Sequence, residues 1–262
     1  MTGGPLGRGT LWQPASACDD RCRPEEHRVV SPIRALLRIV GLTGVLLVGL
    51  PLAALLRGTG PRALARGILA ALGIRLRWRG PAPRPGSLLV ANHISWLDAV
   101  ALAAVLPVRV VAKHDVRAWA GIGWGSARIG SIFIDRTRPR SLPGTVAEVA
   151  DSLRAGRSVA AFPEGTTFCG PERGRFRPAL FQAAIDANAP VVPVSIGYDS
   201  AEASFLADET LWESIRRVAR VRELTLTVAA APALRPDPGA DRRVLARAAQ
   251  SSLVGGGYHL AA

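Results

Sequence analysis

Lysine is almost absent from this chain. Lys113 is the only lysine among 33 basic residues, and the formal net charge is +13. A basic surface favours polyanionic partners, so nucleic acid and an anionic membrane leaflet both fit the charge. Because arginine abundance can also follow from codon usage, the charge alone does not choose between these partners.

Charged residues and cysteines are also scarce. Charged residues make up 20% of the chain and hydrophobic residues 48%, which excludes a disordered polar chain and is enough for a sizeable core. The length suits one domain with an extension. The three cysteines are an odd number, which argues against a disulfide framework and fits a reducing compartment. Cys18, Cys22 and His27 form only a partial metal site, because a stable zinc site needs four ligands, and we predict no metal.

Several motifs of other enzyme classes are missing. A serine hydrolase also uses His and Asp, but the chain has no Gly-x-Ser-x-Gly nucleophile elbow. It has no Gly-x4-Gly-Lys-Ser/Thr loop, since Lys113 follows an alanine, and Gly121–Gly125 lacks the glycine spacing of the dinucleotide fingerprint. Cys169 lies beyond the turn that ends the most conspicuous buried strand, which disfavours it as a nucleophile.

The first 73 residues differ in composition from the rest. Residues 1–28 are rich in glycine, proline and charge without any period, and we predict a disordered tail. No charged residue occurs from Ile39 to Leu56, and as a helix these residues would extend about 27 Å, just short of the roughly 20 residues that a bilayer requires. The charged tail before this segment argues against a signal peptide. Arginines flank the segment on both sides, so they predict no orientation.

An amphipathic segment follows. In Pro61–Gly73, three aliphatic residues at intervals of four share one face and arginines lie on another, as in helices that rest on a membrane surface. Two core helices of a soluble domain are the alternative. We predict that residues 29–73 form a membrane-associated helical pair.

Residues 74–262 are predicted to form a single α/β domain in which short apolar strands alternate with helices. Ile74–Arg79 alternates apolar and basic residues, as a half-exposed strand does. The alternation of elements predicts a mixed, partly parallel sheet flanked by helices. The further predicted strands are Ser87–Val90, Val108–Ala112, Ser131–Ile134, Ser158–Phe162, Val191–Ile196 and Leu224–Val228, and the predicted helices are Leu97–Val105, Val116–Ile129, Thr145–Ala155, Ala179–Ala187, Thr210–Val221 and Asp241–Ser252.

His93 and Asp98 come directly after a predicted strand, where active groups of open α/β sheets often lie. Five positions on a regular helix turn through about 500°, so the two side chains can meet only if His93 lies in a loop and Asp98 in the first helical turn. Asp98 could then accept the Nδ1–H of His93 and leave Nε2 free to take a proton. A surface histidine beside a helix-capping aspartate is the alternative.

Three other strand ends carry polar groups. The strand Ser158–Phe162 runs into a turn in which Gly165 permits a tight bend or a close ligand approach, and Glu164 is available to bind a hydroxyl group. Arg136 follows another strand and could pair with Asp135 or offer its guanidinium to a phosphate. Lys113 ends a third strand.

Taken in order, these pieces resemble the 1-acylglycerol-3-phosphate acyltransferase family. That family has a His-x4-Asp motif, a strand ending in Phe-Ile-Asp-Arg, a Phe-Pro-Glu-Gly-Thr turn and a strand with a buried proline. Here they correspond to His93–Asp98, Phe133–Arg136, Phe162–Thr166 and Val191–Val194.

The resemblance implies transfer of an acyl chain from acyl-CoA or acyl-carrier protein to the free hydroxyl of a lysolipid, foremost 1-acylglycerol-3-phosphate, giving phosphatidic acid. It implies His93 as general base and Asp98 as its orienter, with Lys113, Arg136, Glu164, Gly165 and Thr166 binding the acceptor. We expect no cofactor besides the donor, no nucleic-acid partner, and a peripheral or monotopic place on the cell membrane with the site on the cytoplasmic side.

The sequence departs from the family pattern directly after the turn Phe162–Thr166, which we call the acceptor turn. Many members that act on lysophosphatidate have arginine after Glu-Gly-Thr, where this chain has Thr167, and Arg173, Arg175 or Arg177 could replace the missing charge. Relatives that acylate lyso-ornithine lipid or other lysophospholipids are similar here, so these acceptors are alternatives. A non-catalytic basic membrane-binding protein is an alternative of another class, but it leaves both motifs unexplained.

Overall fold

The computed structural model describes residues 14–22, 29–56, 58–118, 122–128, 130–171, 173–206 and 209–254. They form a seven-stranded sheet with helices on both faces. The strands are β1 (Ile74–Arg79), β2 (Leu88–Ala91), β3 (Val108–Lys113), β4 (Ile132–Ile134), β5 (Ser158–Ala161), β6 (Val191–Tyr198) and β7 (Leu224–Ala230). The α-helices are α1 (Pro32–Leu55), α2 (Gly60–Ala71), α3 (Leu97–Val105), α4 (Ile122–Arg128), α5 (Leu142–Arg154), α6 (Phe181–Asp186), α7 (Leu211–Arg220) and α8 (Arg242–Val254).

The strand order is β1-β7-β6-β2-β5-β3-β4. Every neighbouring pair is parallel except β6 and β7, which are antiparallel. The predicted mixed, partly parallel sheet is therefore confirmed. The central strands β2 and β5 are buried at all four of their positions, because helices cover both faces of a largely parallel sheet.

Two apolar clusters lie on the two faces of the sheet. One contains residues of α2, α3 and α7, and the other contains residues of α5, α6 and α8. β1 is an edge strand whose arginines are exposed and whose Ile74 is buried, as its alternating sequence predicted. The carboxyl ends of β2, β5, β3 and β4 meet at one edge of the sheet, and the predicted site residues lie at or directly after these ends.

The N-terminal helices form a tightly packed hairpin. β-Carbons built on Gly41, Gly49 and Gly67 would each meet a residue of the opposite helix within 3.8 Å, so small residues allow the close approach of α1 and α2. α1 begins at Pro32, seven residues before the uncharged segment, because Ser31 caps it and proline suits the first helical turn.

Arg38 anchors this hairpin to the α/β domain. Its guanidinium donates hydrogen bonds to the carbonyls of Ala219, at 3.1 Å, and of Val221, at 2.5 Å, at the end of α7. Cationic side chains at a helix C-terminus satisfy its open carbonyls. The first half of α1 is therefore part of the domain surface.

Two other sequence predictions fall partly outside the described residues. Where the sequence predicts one helix, Val116–Ile129, the described residues form a 3-10 helix, His114–Ala118, followed by α4. Of the predicted tail, residues 1–13 and 23–28 lie outside the described part. Residues 14–22 are described, and Cys18 among them is buried.

Candidate active site

His93 and Asp98 form the centre of the site. His93 lies in the loop after β2, and Asp98 is the second residue of α3. The Nδ1–H of His93 donates a 2.9 Å hydrogen bond to Oδ2 of Asp98. The loop-and-helix geometry is the one that the spacing requires. The imidazole ring stays partly exposed, with its Nε2 as the remaining nitrogen, while the Asp98 side chain is fully buried.

Asp98 has hydrogen-bond donors on both carboxylate oxygens. Oδ2 also accepts the backbone N–H groups of Ile94, at 2.6 Å, and Ser95, at 2.9 Å. Oδ1 accepts the hydroxyl of Tyr198 at 2.5 Å. Burial, followed by the charge of Asp98, raises the pKa of Tyr198 well above its usual range. Tyr198 therefore remains a donor, and the buried negative charge is satisfied by four groups.

Two further residues fix the orientation of the His93 loop. The Phe162 ring stacks on the His93 ring with centroids 4.1 Å apart. The Asn92 side chain accepts the N–H of Ile196 at 2.7 Å and donates to its carbonyl at 2.9 Å, which joins the end of β2 to β6. The loop therefore enters α3 from a fixed position.

Glu164 lies behind the His93 loop and is only 3% exposed. Its Oε2 accepts the N–H of His93 at 2.7 Å, and its Oε1 accepts the N–H of Gly174 at 3.1 Å. Burial raises the pKa of Glu164 to about 7 against the opposing effect of these two N–H groups. The Glu164 side chain therefore links its own turn to the His93 loop and to the segment around Gly174.

Gly165 lies beside the side chains of Arg136 and Arg177. Its φ of +80° favours glycine, and a β-carbon built there would lie 3.4 Å from Nε of Arg177 and 2.8 Å from Cγ of Pro14. Arg136 donates a short hydrogen bond to the Gly165 carbonyl, whereas Asp135 binds Thr137 and Arg138. Burial and the neighbouring charge of Arg177 lower the pKa of Arg136, and burial lowers the pKa of Arg177. Two like charges at one turn favour an anionic ligand between them.

The other predicted acceptor residues are less enclosed. Lys113 is 53% exposed and pairs with Asp115. Thr166 is partly buried beside Gly165. The Thr167 hydroxyl donates to the carbonyl of Phe205 at 2.6 Å, so this side chain is engaged in the loop.

Sequence reasoning missed Tyr198 and Asn92 as site residues. Tyr198 lies two residues beyond the predicted end of its strand, and its partner Asp98 is 100 positions away. Only the pairing of β6 beside β2 brings the two together. Arg177 was one of three candidates for a replacement charge, and the structure places it at Gly165.

The fold and the His93–Asp98 pair define an α/β protein with a histidine oriented by a buried carboxylate. A family model described as Acyltransferase matches residues 75–197. A 1-acyl-sn-glycerol-3-phosphate acyltransferase from Neisseria meningitidis is 38% identical over 63% of this chain and 68% of its own length. A lyso-ornithine lipid O-acyltransferase from Pseudomonas aeruginosa is 35% identical over 84% of this chain and 92% of its own length.

A solved structure has the same fold. The crystal structure of the 1-acyl-sn-glycerophosphate acyltransferase from Thermotoga maritima covers 84% of this chain and 93% of its own, with a TM-score of 0.63 at 18% identity. The chain belongs to the acyltransferase family that contains these relatives, and it is an O-acyltransferase. The family resemblance of the motifs is therefore confirmed. The apolar helix α1, together with relatives named for lipid substrates, indicates membrane association.

Proposed function

We propose that this enzyme transfers a fatty acyl chain from acyl-CoA or acyl-carrier protein to the free hydroxyl of 1-acylglycerol-3-phosphate, giving phosphatidic acid. The observation that carries the proposal is the placement of His93 and Asp98 beside a turn flanked by Arg136 and Arg177. A base for the hydroxyl and a cationic turn for the phosphate are the two elements that this acceptor needs.

The reaction is a direct transfer. Nε2 of His93 removes the proton of the acceptor hydroxyl while that oxygen attacks the thioester carbonyl. Asp98 holds the ring through Nδ1 and stabilises the imidazolium that forms. When the tetrahedral intermediate collapses, the carbon–sulfur bond breaks and the thiol of the donor leaves with the proton from His93. The transfer uses no cofactor besides the donor.

The acceptor phosphate binds at Gly165. Arg136 donates to the carbonyl of this glycine and Arg177 lies beside it, and a phosphate bound by both arginines offsets their mutual repulsion. Thr166 is the last residue of the turn and contacts the glycerol region of the acceptor. Lys113 lies at the end of β3, at the same edge of the sheet, and contacts the rim of the headgroup. Glu164 contributes by fixing the turn beneath the acceptor.

Lyso-ornithine lipid is the second candidate acceptor. The relative named for this substrate matches 84% of this chain, against 63% for the Neisseria meningitidis relative named for 1-acyl-sn-glycerol-3-phosphate. Thr167 also supplies no charge beside the turn. An ornithine headgroup has a carboxylate for the guanidinium pair but no phosphate.

The enzyme lies on one leaflet of the membrane and does not span it, with its site on the cytoplasmic side. α1 is long and apolar enough to cross a bilayer, with a mean hydropathy of 2.1. However, Arg38 binds the end of α7, and α2, which contains two arginines, packs along α1. A hairpin tied in this way to a water-soluble domain favours insertion of its outer face only. An anionic membrane surface accounts for the basic charge, so the proposal needs no nucleic-acid partner.

His93→Ala tests the chemistry. Loss of the base should reduce turnover by a factor on the order of a hundred to ten thousand in a thioester-consumption assay. His114→Ala, on the exposed 3-10 helix after β3, is the matched control and should keep its activity. Near-normal turnover by a folded His93→Ala enzyme would show that His93 is not the base.

A competition between lysophosphatidate and lyso-ornithine lipid tests the acceptor. The proposal expects a higher kcat/KM for lysophosphatidate, with a ratio that falls when Arg136 or Arg177 is changed to Gln. A higher kcat/KM for lyso-ornithine lipid would make the second candidate the preferred acceptor. Binding to vesicles without consumption of the thioester donor in the presence of any lysolipid acceptor would support the non-catalytic alternative.

A further inference from the structure

All three cysteines of the chain meet at one point. Cys18 and Cys22 come from the N-terminal segment, and Cys169 comes from the loop after the acceptor turn, 151 positions from Cys18. Their three sulfur atoms lie within 4.8 Å of one another. Cys18 and Cys169 are buried with Leu206, and Cys22 is half-buried at the rim of this cluster.

The spacing of the sulfurs suits a thiophilic ion. A zinc–sulfur distance of about 2.3 Å in a tetrahedral site places the sulfurs about 3.8 Å apart. The three sulfurs here need shifts on the order of only 1 Å to reach that arrangement. Three isolated thiols could also pack together as small hydrophobic groups. Such packing, however, gives no reason for the only three cysteines of the chain to share one site.

The local backbone brings the sulfurs together. The N–H of Cys169 donates to Sγ of Cys18 at 3.2 Å, and the sulfur atoms of these two residues lie 3.1 Å apart. Cys18 and Cys22 have the Cys-x3-Cys spacing that occurs in zinc sites, and a 3-10 turn over Asp20–Cys22 returns the second sulfur toward the first.

We propose that Cys18, Cys22 and Cys169 bind one Zn²⁺ as thiolates at a site that takes no part in the acyl transfer. This revises the prediction of no metal, because the fold adds the sulfur of Cys169 to the N-terminal pair. A water molecule on the half-exposed side of Cys22 supplies the fourth ligand. Binding converts three thiols to thiolates and releases their three protons to solvent, and no electron is transferred. The proposal is independent of the acceptor and of the role of His93.

Such an ion would fasten the N-terminal segment over the acceptor turn. Pro14 lies against Gly165, because a β-carbon built on Gly165 would be 2.8 Å from Cγ of Pro14. Phe168, the residue before Cys169, donates its N–H to the carbonyl of His93 at 2.8 Å. The metal therefore joins two segments that both contact the catalytic region.

Metal analysis of the purified full-length enzyme tests the proposal. The reduced protein, prepared in detergent without chelator, should retain about one Zn²⁺ per chain, and exchange with Co²⁺ should produce a sulfur-to-cobalt charge-transfer band. Cys18→Ser, Cys22→Ser and Cys169→Ser should each weaken metal binding roughly tenfold or more. Ala17→Ser, at an exposed position of the same segment, introduces a serine without removing a sulfur and should bind metal normally.

Several results would overturn the proposal. One is a reduced wild-type protein that takes up no Co²⁺, a test that needs no variant. Another is an unchanged metal content in the cysteine variants, which would place the ion elsewhere. A third is a single titratable thiol in the protein as isolated, with no metal uptake after reduction, since it would identify a Cys18–Cys169 redox pair. Three titratable thiols that become protected when Zn²⁺ is added would support the proposal.

Discussion

The Tyr198 hydroxyl donates a 2.5 Å hydrogen bond to Oδ1 of Asp98, the carboxylate oxygen that does not contact His93. Both residues are buried, and Tyr198 belongs to the strand next to β2. The catalytic carboxylate is therefore held from the sheet by Tyr198 and from its own loop by two backbone N–H groups. Rotation of Asp98 would break all of these bonds together.

Tyr198→Phe should lower kcat with little change in the KM of the thioester donor or of the lysolipid acceptor. A hydrogen bond to a charged group contributes about 1.5–3 kcal/mol, so a decrease of roughly tenfold is expected if half or more of that energy serves to orient His93. Ser152→Ala, which removes a buried hydroxyl in α5, is the control and should leave kcat unchanged. A Tyr198→Phe enzyme with wild-type kcat would show that Asp98 is oriented without Tyr198.

Arg136→Gln should raise the KM of the acceptor about ten- to a hundredfold and leave the KM of the thioester donor nearly unchanged. Arg136 is partly buried and contacts the turn at Gly165, so its charge is only partly screened by solvent. Lys113→Gln should have a smaller effect, because Lys113 is half exposed and paired with Asp115. The measurement is steady-state kinetics with each substrate varied in turn.

The neighbouring Arg138, 81% exposed at its side chain, provides the control for net charge, and Arg138→Gln should change neither KM. A larger effect of Lys113→Gln than of Arg136→Gln would place the headgroup at the end of β3 and contradict the assignment to Gly165.

Short-range patterns account for what could be predicted from the sequence. All seven strands were located because each is a short apolar or alternating run between turn residues, and α3 has the predicted bounds, Leu97–Val105. The geometry of the His93–Asp98 pair could be predicted from its spacing, because His93 lies in a loop and Asp98 in the first turn of the helix that follows it.

Contacts between distant segments could not be predicted in this way. Tyr198 meets Asp98 only because β6 pairs with β2, and Cys169 meets Cys18 only because the N-terminal segment crosses the acceptor turn. Arg38, which the sequence suggested as a flanking charge of an apolar helix, is buried against the end of α7. In each case the partner lies at least 100 positions away, where periodicity has no information.

The raised pKa of Glu164 predicts a pH-dependent contribution to stability. In the unfolded chain a glutamate ionises near 4.5, whereas in the folded protein the pKa is about 7. The folded state therefore binds more protons between these values, and its stability should fall as the pH rises from about 4.5 to about 7. The effect is at most about 3 kcal/mol, which corresponds to roughly 6–12 °C in the unfolding temperature.

Thermal unfolding of the wild type and of Glu164→Gln, measured from pH 5 to pH 8, checks this prediction. The difference between the two unfolding temperatures should change across this range in favour of the variant at higher pH. Glu223→Gln, at a carboxylate that is 66% exposed, should show no such change. A constant difference between wild type and Glu164→Gln would mean that Glu164 does not change its protonation in the folded protein between pH 5 and pH 8.

The outer face of α1 predicts the residues that insert into the membrane. Large apolar side chains on this face remain exposed: Ile33, Leu36, Leu37, Val40, Leu47, Val48, Leu52 and Leu55. A continuous exposed patch of this kind on a soluble surface marks an interaction site. Leu47 is 71% exposed although its helix packs against α2, so it faces away from the protein.

Leu47→Asp should therefore weaken binding to vesicles of anionic phospholipid roughly tenfold or more, because inserting one leucine contributes about 1.5–3 kcal/mol and an aspartate adds repulsion. Deleting residues 1–73 is a poorer test, since it removes Arg38 from the end of α7 and exposes domain surface. The matched control is Val244→Asp, at a valine that is 53% exposed on α8, which packs on the opposite face of the sheet. Sedimentation of both variants with vesicles should separate them, and equal binding of the two would place the membrane contact somewhere other than α1.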